Sequence, residues 1–465
     1  MPASRPNVVF ILADDMGYGD FGAFNGGLSQ TSAIDALIDE GVCLTQHYSA
    51  SCVCSPARAA LLTGRYPHRT GAIEMRERRG LCNLAVRETT IADAFQQASY
   101  ATSLVGKWHN GSLGRAFHPN SRGFDEFAGF RGGNMDYFDW VIERNGRHAK
   151  ADGRYLTDVF TEEAVGFIER HSKRPFFLHL CYNAPHTPLQ APEEDIRPFR
   201  QTGRFTDAVS TLYGMVRRMD AGIGRILQTL RGNGLEENTI VVFTSDNGPA
   251  LGGDHNRFNC NFSGGKGNVY EGGIRLPLVI RWPAGLQGRR QLHEMTHLCD
   301  WMPTLTALAG IERPRALKLD GANVSALLRG EGAKLPTKRF WQWTRYDPLA
   351  TSNAAMRDGD WKLVRPALAG TCSSSRQEMA GDAAMRREPW KHYEPDLSSM
   401  PPREVPDPPP PQLYNLADDP GERNNLANQH PDRMTRMLRE LETWFEEVEA
   451  DRAAIGGPWA GVEEK

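Results

Sequence analysis

The sequence predicts an α/β fold, a large and mostly parallel sheet flanked by helices, followed by a smaller carboxyl-terminal α+β unit that contains a short antiparallel sheet. Three observations predict it. Apolar, β-branched runs recur along the chain, and most of them end in a cluster of polar residues. Segments with apolar residues at three-and-four spacing lie between those runs. From about Phe340 onward this alternation stops and shorter strand-like runs take over.

The first run, Asn7 to Leu12, is continuous and ends at Asp14 and Asp15, as a parallel strand buried on both faces does. Ala101 to Val105 leads into Gly106, Lys107, Trp108 and His109. Pro175 to Tyr182 leads into Asn183 to His186, and Thr239 to Thr244 into Asp246 and Asn247. A further run, Ile274 to Arg281, follows Lys266 and the Glu271, Gly272, Gly273 turn. The intervening helices are predicted at Thr31 to Glu40, Glu88 to Ser99, Leu156 to His171 and Asp207 to Leu230; the last has one apolar face from Val209 to Leu230. In such sheets ligands bind beyond the carboxyl ends of the strands, which is where the polar clusters fall.

The boundary between the larger and smaller units is placed at 339/340. Phe340 to Arg345 and Asp360 to Val364 read as short antiparallel strands, and Pro431 to Ala450 as a closing helix. Between them, Gly370 to Gln412 is rich in Ser, Arg and Pro, holds four consecutive prolines from Pro408 to Pro411, and reads as a long loop.

Composition narrows the function. The chain has 465 residues, 40% apolar and 24% charged, enough for a large core. A net charge of -3 gives no general basic field, which argues against a nucleic-acid partner and requires any anion to be caught by local charge. No run has the length of a membrane span, and Val8 to Ala13 is too short for a signal-peptide core and lacks a basic flank. As it stands the sequence predicts a cytoplasmic protein, or a periplasmic or secreted one if a leader has been removed. Eight cysteines are too dilute for a disulfide framework, so most are expected to be small buried hydrophobes.

One cysteine stands out. Cys54 opens the run Cys54, Ser55, Pro56, Ala57, Arg58, which continues to Leu62, Thr63 and Gly64. Proline suits a first helical turn and glycine a helix stop, so Cys54 is placed at a helix amino terminus, among unpaired backbone N–H groups that favour an anion. Asp14, Asp15, Asp246 and the amide oxygen of Asn247 offer hard oxygen ligands at two strand ends, suited to Ca²⁺ or Mg²⁺ rather than to zinc.

The CxPxR and LTG pattern from Cys54 to Gly64 resembles the signature of the type I, formylglycine-dependent sulfatases of the alkaline phosphatase superfamily. So do DDMGYGD (Asp14 to Asp20), GKWHNG (Gly106 to Gly111), PHTP (Pro185 to Pro188), SDNG (Ser245 to Gly248) and GGKGNVYEGG (Gly264 to Gly273), in the same order, and LYNLADDPGERNNLA resembles the usual ending. The resemblance implies an alkaline-phosphatase-like fold and a maturation enzyme that oxidises Cys54 to formylglycine. It implies one divalent metal, Ca²⁺ before Mg²⁺, held by Asp14, Asp15, residue 54, Asp246 and Asn247. One hydroxyl of the hydrated aldehyde would attack sulfur, and the other would lose its proton to His109 as sulfate is expelled. Arg58 would orient the hydrate, Lys107 and Lys266 would hold sulfate oxygens, and His186, shared with Lys266, would protonate the leaving oxygen. Cys52 makes a CxC with Cys54, but the proline and arginine spacing selects Cys54.

Two other readings compete. One is a phosphonate monoester or phosphodiester hydrolase of the same superfamily; the other is a catalytically silent protein that binds sulfated glycans. A two-zinc phosphatase is disfavoured, because Asp246 is followed by Asn247 and not by a histidine. The alcohol part of the substrate and the oligomeric state stay open. Candidate recognition loops are 130–154, 255–261 and 370–412. The first carries Arg131, Asn134, Asp136, Tyr137, Trp140, Arg144, His148 and Arg154, a mixture expected to stack on a sulfated sugar and pair with its anionic groups.

Overall fold

The run at the start of the chain is strand β1 (Asn7–Ala13), with every residue buried. Alternation sorts its side chains to opposite faces. Val9, Ile11 and Ala13 enter one hydrophobic cluster, whereas Val8, Phe10 and Leu12 enter another. Burial on both faces is why the run is continuous rather than alternating.

The computed structural model describes residues 5–313, 317–389, 391 and 394–462. After β1 come β2 (Val42–Tyr48), β3 (Ala101–Lys107), β4 (Glu126–Phe130), β5 (Val141–Arg144), β6 (Arg147–Lys150), β7 (Phe176–Cys181) and β8 (Thr239–Ser245). They are followed by β9 (Arg275–Arg281), β10 (Arg290–Leu292) and β11 (Thr296–His297). Together they build one large sheet, ordered β10-β2-β9-β8-β1-β7-β3-β4-β5-β6, with β11 also paired to β2. The central strands β8, β1, β7, β3 and β4 run parallel. β9 is antiparallel to both β8 and β2, and β4, β5 and β6 form an antiparallel edge. The fold is α/β with a mostly parallel sheet, as the sequence predicts.

Helices Leu156–Arg170 and Asp207–Gly232 cover one face of that sheet. The second is capped by Thr206, whose hydroxyl accepts from Val209 N, and it buries Val209, Leu212, Val216, Met219, Ile223, Ile226 and Leu230. Each of those side chains contributes about 1.5–3 kcal/mol on leaving water. The helices Cys54–Thr63, Ile91–Gln97 and Trp301–Leu308 cover the opposite face.

A second sheet is antiparallel and ordered β12 (Lys338–Gln342), β13 (Ala354–Asp358), β14 (Trp361–Arg365) and β15 (Gln412–Asn415). Helix Pro431–Ala453 packs on it through Met437, Leu441, Trp444 and Val448. Below the GGKGNVYEGG turn, Lys362 Nζ lies 2.9 Å from Glu271 and 2.8 Å from Glu422, all three side chains fully buried. Burial pushes the Glu422 carboxyl up to about 7, against the pull of Lys362. That network fastens the small sheet to the segment carrying Lys266.

Two expectations need correction. The stretch 370–412 is not all loop: Arg376–Arg387 forms a helix, capped by Ser375 through Glu378 N. Its charged composition hid it, since only Asp382 and Met385 are buried. The segment 130–154 is not an exposed recognition loop, because β5 and β6 pair within it. Tyr137 and Trp140 are 0% and 1% exposed and belong to the core, so neither can stack on a sugar. The three arginines expected to meet anionic groups are paired: Arg131 with Glu143, Arg144 with Glu163, and Arg154 with Asp152 and Glu162.

Among the described residues, no helix is long and apolar enough to cross a membrane. All eight cysteines are free thiols.

Candidate active site

Four adjacent parallel strands end at one place. β8 delivers Asp246 and Asn247, β1 delivers Asp14 and Asp15, β7 leads to His186, and β3 delivers Lys107 and then His109. Gly106 makes the last of these possible: its φ is +107°, and a Cβ there would lie 1.9 Å from the Cys181 carbonyl oxygen. Asp15 and His109 also hold left-handed backbone, at φ 65° and 55°. Such conformations are strained in non-glycine residues and gather at functional sites.

The helix Cys54–Thr63 points its amino terminus into the same place and stops at Gly64, φ 69°. Cys54 Sγ lies 3.3 Å from His109 Nδ1, and with carboxylate oxygens of Asp14 and Asp246 it forms a group within 4.8 Å. Cys52 turns away into another cluster, its sulfur 3.8 Å from Asn353 Nδ2. Of these two cysteines, Cys54 is the one grouped with the Asp14 and Asp246 carboxylates.

Charges interlock around Cys54. Lys107 Nζ donates to Asp14 Oδ2 at 2.6 Å, and Lys266 Nζ is 2.7 Å from Asp15 Oδ1. Arg58 clamps Asp246 through Nε at 2.9 Å and Nη2 at 2.8 Å, and donates from Nη1 to the Lys107 carbonyl at 3.2 Å. Asn247 Nδ2 donates to Asp15 Oδ1 at 2.8 Å. His186 presents Nε2 3.7 Å from Asp15 Oδ2, and its Nδ1 is 2.7 Å from the Thr187 carbonyl, so that nitrogen carries the proton.

Burial sets the protonation states. It pushes Asp246 up to about 6, against Arg58. At Asp15 burial works the same way, but Lys266, His186 and Lys107 overcome it and hold the carboxyl below its ordinary range. Burial lowers His109 far below the usual imidazole value, helped by Lys107, Arg386, Arg58 and Lys266. His186 falls to about 3 through burial and Lys266, against Asp15. Both imidazoles are therefore neutral at pH 7, whereas Lys266 stays charged because Asp15 overrides its burial.

The donor set fits a hard divalent cation. Asp14 Oδ1 and Asn247 Oδ1 are buried with no hydrogen-bond partner, which is costly unless something else meets them. Three carboxylates, Asp14, Asp15 and Asp246, face three cations, Arg58, Lys107 and Lys266, so the cluster is neutral by itself. A divalent ion would leave it with two positive charges, suited to an anionic ester and a released dianion.

Arg58→Met should destabilise the metal-free protein by about 3–5 kcal/mol, because it strands buried Asp246 beside Asp14. Urea unfolding checks this, and a loss below about 1 kcal/mol would mean the clamp is energetically idle.

The structure unites all ten residues expected at the site. Sequence reasoning missed the wall behind His109. Glu77 Oε1 accepts from Gly133 N at 2.7 Å and from Arg386 Nε at 2.8 Å, and Glu77 Oε2 accepts from Ser112 Oγ at 3.2 Å. No motif marks Glu77 or Arg386; each sits in a charged, aperiodic stretch.

The chain is similar to several known proteins. The family model of the sulfatases matches residues 6–311, and that of the carboxyl-terminal part of N-sulphoglucosamine sulphohydrolase matches 255–369. An N-acetylgalactosamine-6-sulfatase from Canis lupus familiaris is 34% identical over 397 residues, 73% of this chain and 72% of that protein. An arylsulfatase H from the same species is 31% identical, covering 70% of this chain and 73% of its own. Among solved structures, Ps i-CgsB in complex with k-i-k-neocarrahexaose has a TM-score of 0.79 at 32% identity, covering 95% of this chain and 93% of that one. A phosphonate monoester hydrolase from Silicibacter pomeroyi shares the fold, with a TM-score of 0.66 at 21% identity over 96% of both chains.

Proposed function

The chain belongs to the sulfatase family and is a sulfuric ester hydrolase, and we propose that its substrate is a sulfated carbohydrate, cleaved by residue 54 after oxidation of Cys54 to formylglycine beside one Ca²⁺ or Mg²⁺ ion. One observation carries the reading: Cys54 sits at a helix amino terminus between His109 and the Asp14/Asp246 carboxylates, inside a ring of balanced charge.

The thiol itself is a poor candidate nucleophile. Burial pushes it up, and Lys107 and Lys266 only partly oppose that, so it is protonated at neutral pH. The oxidised side chain, as its hydrate, supplies an oxygen nucleophile in the same position. When bound, the metal would neutralise charge on the sulfuryl group and favour the ionised form of that oxygen.

The remaining work falls to this chain's residues. Lys107 and Lys266 would hold sulfate oxygens, and Arg58 fixes Asp246. Neutral His109, in contact with position 54, can take the proton whose loss releases sulfate. His186 is neutral with its proton on Nδ1, so the proton for the leaving oxygen comes from charged Lys266, and His186 Nε2 is the acceptor that can relay it. Support for a carbohydrate comes from relatives: the first named above is an N-acetylgalactosamine-6-sulfatase, and the most similar of the structures above was solved with a neocarrahexaose.

Division of labour is testable. His186→Ala should lose most on poor leaving groups, about 10²-fold or more, and far less on nitrophenyl sulfate. His109→Ala should instead give a first-turnover burst and accumulate sulfated residue 54, read by mass spectrometry. Equal losses on good and poor leaving groups, with no adduct, would remove the assignment. Aryl phosphonate run in parallel serves as the control; faster turnover of phosphonate than of any sulfate would overturn the proposed substrate.

A further inference from the structure

Arg386 stands in the helix that the 370–412 insertion lays against the site. Its side chain is 17% exposed and is fixed at two points, by Glu77 through Nε and by Asn134 Oδ1, which accepts from Nη1 at 2.6 Å. A turn of two glycines separates it from the catalytic histidine. A Cβ on Gly133 would lie 2.8 Å from His109 Nε2, and a Cβ on Gly132 would lie 2.9 Å from Arg386 Cγ. Arg386 is therefore one backbone thickness from the chemistry.

Two hollows flank this guanidinium. One, of about 350 Å³, includes Phe130, Met385 and Trp459 in its lining. The other, of about 700 Å³, runs between the insertion helix and Pro188, which follows His186 by two residues in the chain. Both volumes are of the size that holds small ligands. Charges in the larger cleft cancel: Lys150, Arg386 and Arg387 face Asp136, Asp139 and Glu388. A cleft without net charge gives no advantage to a substrate carrying several anionic groups. Hydroxyl groups, in contrast, suit a fixed planar donor beside carboxylates and an amide.

We propose that Arg386 is a specificity-determining residue that hydrogen-bonds hydroxyl groups of the sugar bearing the scissile sulfate, and that the preferred substrate is a sugar with one sulfate and otherwise neutral neighbours. This rests on the carbohydrate reading. It also reverses the expectation of a polyanionic chain held by Arg131, Arg144 and Arg154, which are occupied by Glu143, Glu163, Asp152 and Glu162.

The test compares wild type, Arg386→Ala, Arg386→Lys and Glu378→Gln on 4-nitrophenyl sulfate and on monosulfated and disulfated galactose, N-acetylgalactosamine and glucosamine. Glu378 anchors the other end of the same helix through Arg79 and Tyr346, away from the cleft, so its variant controls for loosening of the helix. Lysine keeps the charge opposite Glu77 but not the planar fork. Wild type should prefer a monosulfated sugar, by kcat/KM, over its disulfated form. Both Arg386 variants should raise KM for that sugar about tenfold or more, with smaller changes in kcat and a several-fold smaller loss on nitrophenyl sulfate. Glu378→Gln should keep the wild-type discrimination. Full recovery by lysine, equal losses on sugar and aryl sulfates, or a wild-type preference for disulfated sugars would overturn the inference while leaving a carbohydrate sulfatase. Turnover of nitrophenyl sulfate alone, with no sugar accepted, would overturn the carbohydrate reading together with it.

Discussion

Cys54→Ala should abolish turnover, by roughly 10⁴-fold or more, while the protein stays folded. Residue 54 is the only group proposed to form a bond with sulfur, and no neighbour can replace it. His109 is neutral and positioned as a base, and Lys107 and Lys266 are held charged opposite carboxylates. Cys54→Ser should fail almost as completely, since a serine carries one hydroxyl and cannot expel sulfate by re-forming an aldehyde. Cys52→Ala should keep wild-type kcat per folded molecule. Cys52 is fully buried beside Asn353 and faces away from the site, so its loss should appear only as about 1 kcal/mol of stability. Full activity in the Cys54→Ala enzyme would end the proposed mechanism.

Chelation should lower kcat about 10³-fold or more, and Ca²⁺ or Mg²⁺ should restore it. The expectation rests on Asp14 Oδ1 and Asn247 Oδ1, two buried oxygens without hydrogen-bond partners, close to the Asp15 and Asp246 carboxylates. Without an ion, Lys107 and Lys266 stay committed to Asp14 and Asp15 and are less available to sulfate. The same ion should raise the melting temperature in proportion to the logarithm of its concentration, a readout independent of activity. Asp14→Ala should remove both responses. Active enzyme that holds stoichiometric zinc and neither calcium nor magnesium would contradict the hard-oxygen assignment.

Much of the site was legible because central parallel strands leave a strong trace. A strand buried on both faces has little room for charged residues until it ends, so Asp14, Lys107 and Asp246 stand out as the first charges after apolar runs. Pro56 and Gly64 likewise bracket the Cys54 helix correctly. Edge elements left a weaker trace. β5 and β6 are four residues each and partly exposed, so their alternation is lost among the charged residues they present to solvent. That is why Tyr137 and Trp140 passed for exposed aromatics. β2 was missed although it is buried, because Thr45, Gln46 and His47 interrupt its apolar run. Arg386 was out of reach for another reason: its place behind His109 depends on a helix that packs through two residues, Asp382 and Met385, and no local periodicity encodes that docking.

The most direct test is the mass of the peptide containing residue 54 in enzyme made with graded amounts of the maturation enzyme, set against kcat for a sulfate ester on the same samples. The account predicts that the thiol sulfur is replaced by an aldehyde oxygen in a fraction of the molecules, and that kcat rises in direct proportion to that fraction from essentially zero. Full turnover by a preparation in which Cys54 remains an intact thiol would contradict it.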